Sequence, residues 1–524
     1  MRRELQRVSG GGRGGGGGRG AGGGGPGGGG PGGGGGGDGP PGGPGGAGGG
    51  GGGGGGGAPT AGNVALQTPP EISSSNGSLT TSISIGEATY TIPGSTVTIS
   101  SRLLNGEYPG PTLRIRAGDA LAISFNNNLE DRGSNYQHNQ YSANDDSNMH
   151  FHGLHISGEL PSDDVTHVVY PGESYTYSTT LIDSHMAGTH WQHPHKHGST
   201  SLQVGGGALQ AVIVEDEDGF LSDQVANARE VLFLAHYFNV PQLEGVVDDA
   251  NDSVLNFDIP AADANEYREF VTVNGQYRPY IEVDANEWIR LRVIWANFLQ
   301  GDLDLGIPNC EMYLLAKDGI YIQDFPRMIT DATIVSGGRA DIMVRCPDPD
   351  TSYPINGIVD GLAYIQTSAT TVTSEALASW TPAYPSYLSD LTSATVSSGC
   401  DCDTRLAGQS INGFSFPDIA SVGEEYLHGS YLGAVVARQL SANAHPYHQH
   451  VYPFQLVGAG FAGNYYRVGD WHDTVKGTGE IRFRPTDFTG KLMLHCHRLV
   501  HEDRGMMAME YVGAAGNSCF CTNN

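Results

Sequence analysis

The chain has 524 residues, a formal net charge of −28 and a pI of about 4.9. The acidic excess lies beyond the first sixty residues, so this body should repel polyanions and attract cations, which excludes nucleic acid as a partner. No apolar run approaches the length of a membrane span, so we predict none.

The first part of the chain, residues 1–62, is predicted to be a disordered glycine-rich tail, because glycine loses the most backbone entropy on ordering and buries no side chain. Its first residues lack an apolar segment, so we predict no ordinary secretory signal. The run Arg13-Gly14-Gly15 is weakly similar to RGG-type nucleic-acid tails. A spacer, or an unreliable gene-model start, is the favoured interpretation.

From about residue 63 the sequence consists of short runs in which apolar and polar residues alternate, as in 88–92, 288–294 and 491–494. Gly, Pro and Asn separate these runs. This pattern predicts an all-β fold of sandwiches or barrels in series. The predicted units, in chain order, are a first domain (63–218), a second domain (228–370), a linker (371–399), a third domain (400–514) and a C-terminal tail (515–524).

Seven cysteines are present. If Cys496 binds metal, six remain, and six permit 15 disulfide pairings. Cys310 and Cys346 fall within one domain, and the pairs Cys400/Cys402 and Cys519/Cys521 could staple the third domain to the tail. A metal site at these pairs is disfavoured because no histidine is close in sequence. Disulfides predict an oxidising compartment, which conflicts with the missing signal and leaves that question open.

The stretch 495–506 concentrates metal-binding chemistry. Cys496, His501 and Met506 supply three of the four ligands of a blue-copper centre, which uses two His, one Cys and a distant Met. His495 and His497 flank the cysteine, so on an extended strand they point to the opposite face and must serve a second site. The alternative, a buried cysteine beside solvated histidines, is disfavoured by this spacing.

Histidines form four clusters: one lies in that stretch, and the other three lie at 150–153, 188–195 and 445–450. One His-x-His pair is more often a surface accident than a ligand set, but four are hard to explain that way. His445 stands apart and is the candidate fourth blue-copper ligand. Eight imidazoles remain, which suit three copper ions at two, three and three between the first and third domains; they are His150, His152, His193, His195, His448, His450, His495 and His497.

These clusters, in this order, resemble those of the multicopper oxidases, a family that includes laccases, ferroxidases, ascorbate oxidase and spore-coat laccases. The resemblance covers about residues 80–512, and the phrases at 108–112, 273–276 and 411–413 also match. It implies three cupredoxin-like Greek-key β-barrel or sandwich domains in series and four copper ions. The implied ligands are His445, Cys496, His501 and Met506 for type 1; His150 and His448 for type 2; His152, His193 and His497 for one type 3 copper; and His195, His450 and His495 for the other.

The resemblance further implies a laccase-like enzyme that couples four one-electron oxidations of phenols or aromatic amines to reduction of dioxygen to water. Its partners would be dioxygen and a small-molecule or metal-ion electron donor, and it would be a secreted or extracytoplasmic monomer. Proton delivery needs positioned acids. Glu502, next to His501 as in spore-coat laccases, and Asp163 or Asp164 are the candidates, against the alternative of solvated loop charges.

The closest alternative function is a metal oxidase acting on Fe(II), Mn(II) or Cu(I). Only ten methionines are present and no methionine-rich insertion is visible, which weakens the Cu(I) version. The fourfold His-x-His set and the length disfavour a two-domain nitrite reductase. A non-enzymatic cupredoxin relic is disfavoured because all twelve predicted ligands are present.

Overall fold

The computed structural model describes residues 64–133, 136–461 and 465–522. The predicted tail at 1–62 lies outside the described residues. Strands dominate the described chain and fall into three successive groups, so the all-β prediction is confirmed.

The first group forms two sheets that enclose an apolar core. Its elements are β1 (Glu71–Ser73), β2 (Ser78–Thr91), β3 (Thr98–Leu104), β4 (Thr112–Ile115), β5 (Ala120–Asn127), β6 (His150–His152), β7 (Ser174–Thr180), β8 (Gly188–His193), α1 (Thr200–Gly205) and β9 (Gln210–Val214). One sheet has the order β1-β4-β9-β8-β6, and the other contains β3, β2, β5 and β7. Alternate side chains such as Ile83 and Phe125 are fully buried between them, as period-two patterning requires.

The second group is built around a long sheet with the order β13-β12-β10-β15-β21-β17-β18. Its elements are α2 (Asp223–Ala226), β10 (Arg229–Asn239), α3 (Val240–Asp249), β11 (Asn256–Asp258), a 3-10 turn (Glu266–Arg268), β12 (Glu269–Val273), β13 (Gln276–Tyr277), β14 (Tyr280–Ala285), β15 (Ile289–Trp295), β16 (Leu303–Leu305), β17 (Glu311–Lys317), β18 (Ile320–Tyr321), β19 (Arg327–Met328), β20 (Ala332–Ile334), β21 (Arg339–Arg345), β22 (Ser352–Ile355) and β23 (Ala363–Thr371). Smaller sheets join β14, β23 and β22, and β16 with β20. The short β11 instead pairs with β3 and extends a sheet of the first group.

The third group forms one large sheet in the order β29-β28-β30-β27-β31-β32-β26-β33, with β24 also paired to β27. Its elements are a 3-10 turn (Ser386–Leu388), β24 (Asp401–Ala407), β25 (Ser410–Ile411), α4 (Ile419–Val422), β26 (Tyr426–Tyr431), β27 (Val436–Gln449), β28 (Phe454–Leu456), β29 (Trp471–His472), β30 (Thr474–Phe483), β31 (Gly490–Cys496), α5 (Leu499–Glu502), β32 (Met507–Gly513) and β33 (Phe520–Cys521). Among the described residues, none of the helices combines the length and apolarity needed to cross a membrane.

The predicted domain boundaries stay predictions, and several contacts cross them. Leu66 donates its N–H to the carbonyl of Tyr280 at 2.8 Å, which ties the start of the described chain to the second group. Leu388 and Leu391, within the predicted linker 371–399, are fully buried. The predicted tail 515–524 contributes β33, which pairs with β26.

The six cysteines other than Cys496 form three disulfides, Cys310–Cys346, Cys400–Cys519 and Cys402–Cys521. The predicted covalent staple between the third group and the C-terminal segment is therefore present, and it consists of two disulfides. The fold also brings His428 next to Cys402 and Cys521, a proximity that sequence spacing could not reveal.

Candidate metal centres

Four strands present four of the predicted histidines in two facing pairs. β6 lies antiparallel to β8, with His150 opposite His193. β27 lies antiparallel to β31, with His448 opposite His495. Because directly opposed residues of a strand pair point to the same face, each strand pair delivers two imidazoles side by side.

The eight predicted trinuclear ligands meet in one buried cluster, and none of their side chains is more than 4% exposed. His150 stacks on His450 with ring centroids 3.9 Å apart, and His152 stacks on His448 at 3.8 Å. Imidazoles from residues 150–195 therefore interleave with imidazoles from residues 448–497.

The ring nitrogens converge within this cluster. The Nε2 atoms of His195 and His450 each lie 3.2 Å from Nε2 of His495. This contact joins the three histidines predicted for one type 3 copper, while the assignment of each histidine to one copper stays a prediction. Sets whose ligand atoms lie within 4.8 Å of one another are His152–His193–His497, His150–His195–His450 and His150–His152–His448.

The outward nitrogens of the cluster are held by oxygen atoms. Nδ1 of His193 faces the carbonyl of Pro194 at 2.8 Å, and Nδ1 of His448 faces the carbonyl of Asp473 at 2.9 Å. A carbonyl only accepts, so these Nδ1 atoms carry the proton and leave Nε2 with its lone pair. Within the described chain, Nε2 of His150, His193 and His448 is buried without a hydrogen-bond partner. Metal-binding histidines are oriented in this way, so the cluster fits bound copper ions.

The protonation states of the clustered histidines also fit bound metal ions. Burial lowers the pKa of His193 and that of His195 to about 3. These imidazoles are therefore neutral at physiological pH, which is the form that binds metal.

The predicted type 1 ligands form a second, separate site. Sγ of Cys496 lies 3.5 Å from Nδ1 of His445 and 3.8 Å from Nδ1 of His501, and these two nitrogens are 3.2 Å apart. Cys496 is the one cysteine outside a disulfide in the described chain. Burial raises the pKa of its thiol to about 12, so a bound cation would be needed to hold it as the thiolate ligand.

Met506 lies next to this site through its backbone. Its carbonyl accepts from Cys496 N at 3.1 Å, and its own N–H donates to the carbonyl of His501 at 2.9 Å. The side chain is fully buried. His445 and His501 are partly buried rather than wholly enclosed, so the imidazole edges are the part of this site nearest solvent.

The predicted relay acid Glu502 contacts the histidine cluster. Its carboxylate oxygens lie 3.4 Å from Nδ1 of His195 and 3.0 Å from Nδ1 of His495. The side chain is fully buried, and burial raises the pKa of Glu502 to about 7. The group can therefore hold a proton near neutral pH beside two predicted ligands.

The structure separates the two alternatives for the second relay acid. Asp163 lies 2.8 Å from Nδ1 of His150 and accepts from Phe151 N at 3.0 Å, and burial raises the pKa of Asp163 well above its usual range. Asp164 instead pairs with Lys491 at 2.8 Å. Only the first of these two acids touches a predicted ligand.

Sequence reasoning missed Asp473 and Arg339. Asp473 Oδ1 lies 3.3 Å from Nε2 of His152, and the Arg339 guanidinium pairs with both oxygens of that carboxylate at 2.7 and 2.5 Å. Burial alone would raise the pKa of Asp473, but the Arg339 guanidinium holds it well below its usual range. No local motif marks either residue, so only the fold could identify them.

A cavity of about 790 Å³ is lined by neighbours of the predicted ligands. Lys196 and His197 follow His195, while Met493 and Met507 share the strand face of His495. The volume of the cavity suits a small molecule, and the cavity lies beside the histidine cluster.

Comparisons with known proteins agree with this arrangement. A family model described as multicopper oxidase matches residues 85–219, and a second of the same description matches residues 409–515. The L-ascorbate oxidase of Nicotiana tabacum is 26% identical over 282 residues, which cover 49% of this chain. The chain spans only 45% of the length of that relative.

Two solved structures share the fold. A multicopper oxidase of Campylobacter jejuni, described as a metallo-oxidase, is 21% identical, with a TM-score of 0.64 over 86% of this chain and 95% of that one. A laccase of Pediococcus acidilactici is 19% identical, with a TM-score of 0.66 over 86% of this chain and 93% of that one. The predicted architecture of three cupredoxin-like domains in series is thereby confirmed.

Proposed function

The chain belongs to the multicopper oxidase family, and we propose that it is a laccase-like oxidase of phenols and aromatic amines that reduces dioxygen to water. One observation carries this proposal. The eight buried imidazoles and the Cys496 site are joined by single peptide links, because Cys496 lies between His495 and His497 in sequence. A cysteine site and a histidine cluster so connected suit electron transfer from one to the other.

We assign four copper ions to these residues. The type 1 ligands would be His445, Cys496, His501 and Met506. The buried nitrogens of the histidine cluster would hold one type 2 copper and a type 3 pair. Copper bound at these sites would accept single electrons from the donor and pass four of them, with four protons, to one dioxygen to give two waters.

The protein's own residues would bind the copper ions, connect the two sites and supply protons. The partly buried edges of His445 and His501 offer the donor an approach to the type 1 site. Glu502, between His195 and His495, holds a proton beside the cluster, and Asp163 does so at His150. Proton supply from two sides suits a reaction that consumes four protons in a buried site.

A metal oxidase acting on Fe(II), Mn(II) or Cu(I) is the second candidate. The net charge of −28 favours it, because an acidic surface raises the local concentration of cations. The three disulfides support an extracytoplasmic location for either function, since disulfides persist in oxidising compartments.

Oxygen uptake by the copper-loaded protein tests these proposals. We expect uptake with 2,6-dimethoxyphenol to exceed uptake with Fe(II), Mn(II) or Cu(I) at equal concentration; the reverse order would favour the metal oxidase. Cys496→Ser should remove the blue colour and the turnover while the protein stays folded. The matched control His236→Gln changes a buried histidine that bonds Tyr108 and should keep both. A Cys496→Ser variant that remains blue would contradict the type 1 assignment.

A further inference from the structure

The second strand group contributes none of the twelve predicted ligands, yet one of its side chains pairs with a carboxylate that contacts the histidine cluster. Arg339, the first residue of β21, is fully buried. Its guanidinium forms a bidentate pair with Asp473, a residue of the third group. Such fork-to-fork pairing fixes the plane of a carboxylate as well as its distance.

Asp473 in turn contacts two predicted ligands from different strands. Its Oδ1 lies 3.3 Å from Nε2 of His152, and its backbone carbonyl accepts from Nδ1 of His448 at 2.9 Å. The hydroxyl of Thr474 donates to Asp473 Oδ1 at 2.8 Å. With Nε2 of His152 directed at the carboxylate, its Nδ1 faces inward, 3.2 Å from Nε2 of His497.

Arg339 is itself held rigidly. Its backbone N–H donates to the Asp318 carboxylate at 2.9 Å. In its side chain, Nε donates to the carbonyl of Thr189 and Nη1 to the carbonyl of Gly337, each at 3.2 Å. Thr189 belongs to β8, the strand that ends at His193. The guanidinium therefore links three elements that converge on the cluster.

The backbone around Arg339 is shaped for this contact. Gly153, which follows His152, has a φ of +96°, and a Cβ there would collide with Nη2 of Arg339. A Cβ at Gly337 would lie 2.6 Å from Cδ2 of His497, and Ser336 Oγ donates to the carbonyl of His497 at 2.9 Å. The turn before β21 thus contacts one ligand directly while Arg339 acts on others through Asp473.

We propose that Arg339 is a positioning residue for the trinuclear copper cluster, which fixes His152 and His448 through Asp473. The proposal rests on the proposed function for the identity of the metal. Partners of this kind orient metal-binding histidines, and their loss typically weakens metal affinity or activity by about 10- to 100-fold. The second strand group therefore takes part in metal binding although it supplies no ligand.

The test compares copper-loaded Arg339→Gln and Arg339→Lys with the unchanged protein. Copper affinity is measured by competition with a chelator, the type 2 copper by electron paramagnetic resonance, and the type 1 copper by its visible band. We expect about 10- to 100-fold weaker retention of the cluster copper and altered type 2 hyperfine splitting in Arg339→Gln. The visible band should persist, because Cys496 is not in this network. Arg339→Lys should recover part of the affinity, since the charge remains but the bidentate geometry is lost.

Arg102→Gln is the matched control. Arg102 is equally buried and pairs with Asp145 and Asp252 at 2.7 and 2.6 Å. Its loss should lower the free energy of unfolding but leave the type 2 signal and copper affinity unchanged. Asp473→Asn, which keeps the size of the side chain, provides a second variant with the same expected signature if Arg339→Gln does not fold.

Unchanged type 2 splitting and copper affinity in folded Arg339→Gln and Asp473→Asn would overturn the proposal, as would an equal change in Arg102→Gln. Failure of the proposed function is a distinct result: the unchanged protein would then bind fewer than four copper ions or consume no oxygen. The copper affinities of the variants can be compared in either case, because this measurement does not depend on turnover.

Discussion

Glu502 Oε2 lies 3.0 Å from Nδ1 of His495, although Glu502 is the residue next to His501 of the cysteine site. Four residues lie between Cys496 and His501, and the short helix α5 (Leu499–Glu502), which contains His501, turns the chain after the cysteine. That turn sends His501 toward Cys496 and Glu502 toward the histidine cluster. One loop therefore contributes to both predicted centres.

Replacing Glu502 with Gln should separate electron entry from oxygen reduction. The amide keeps the shape of the side chain but has no ionisable proton, so we expect reoxidation of the donor-reduced protein by oxygen to slow by about 100-fold or more. Copper content and the blue band should persist. Stopped-flow absorbance measures reduction and reoxidation separately. Glu510→Gln, a buried glutamate paired with Arg438, is the control and should reoxidise normally; equally fast reoxidation of Glu502→Gln would exclude the relay role.

Adjacent carboxylates provide a second comparison. Asp163 contacts His150, whereas Asp164 pairs with Lys491. We expect Asp163→Asn to slow oxygen reduction by about 100-fold and Asp164→Asn to leave it nearly unchanged, because only the first removes an acid at a predicted ligand. Steady-state oxygen uptake at saturating donor measures this difference. Similar rates for the two variants would remove Asp163 from the mechanism.

The sequence predicts which histidines lie close together because strand geometry is local, while their roles as copper ligands stay predictions. Period two places both imidazoles of His150 and His152 on one face and sends His495 away from Cys496, and no tertiary information is needed for either step. The pairing of Arg339 with Asp473 spans 134 residues and has no spacing rule. The placement of β11 in a sheet of the first group is likewise a tertiary contact, which local periodicity does not encode.

The double staple between the third group and the C-terminal segment should be partly redundant. Each of Cys400–Cys519 and Cys402–Cys521 closes a segment with a sequence separation of 119 residues. With one staple intact, the other constrains only a short additional loop of the unfolded chain.

We therefore expect Cys400→Ser/Cys519→Ser to lower the free energy of unfolding by about 2 kcal/mol, and removal of both staples to lower it by about 6–7 kcal/mol, more than the sum of the two single losses. Urea unfolding measures both changes. Two staples that contribute equal and additive amounts would contradict the shared-loop explanation. Removal of Cys310–Cys346, with a separation of 36 residues, serves as an independent single-loop reference.

Acid should weaken the contact between the first and second strand groups at Glu230. Burial alone would raise the pKa of Glu230, but the guanidiniums of Arg292 and Arg114 lower it from 4.5 to about 2. Glu230 bonds Arg292 Nε at 2.5 Å and Arg114 Nη2 at 2.6 Å. A carboxylate with a lowered folded-state pKa stabilises the fold above its unfolded pKa, and this stabilisation is lost as pH falls toward the folded pKa.

We expect Glu230→Gln to reduce the free energy of unfolding by about 1–3 kcal/mol at pH 7, with the difference from the unchanged protein shrinking between about pH 4.5 and pH 2. Urea unfolding at a series of pH values measures this trend. Glu282→Gln, at an exposed position of β14, should show little effect at any pH. If the Glu230→Gln difference instead stayed constant down to pH 2, packing or hydrogen-bond geometry rather than charge would be the source of the stabilisation. A contribution from charge must shrink as the carboxyl of the unchanged protein takes up its proton.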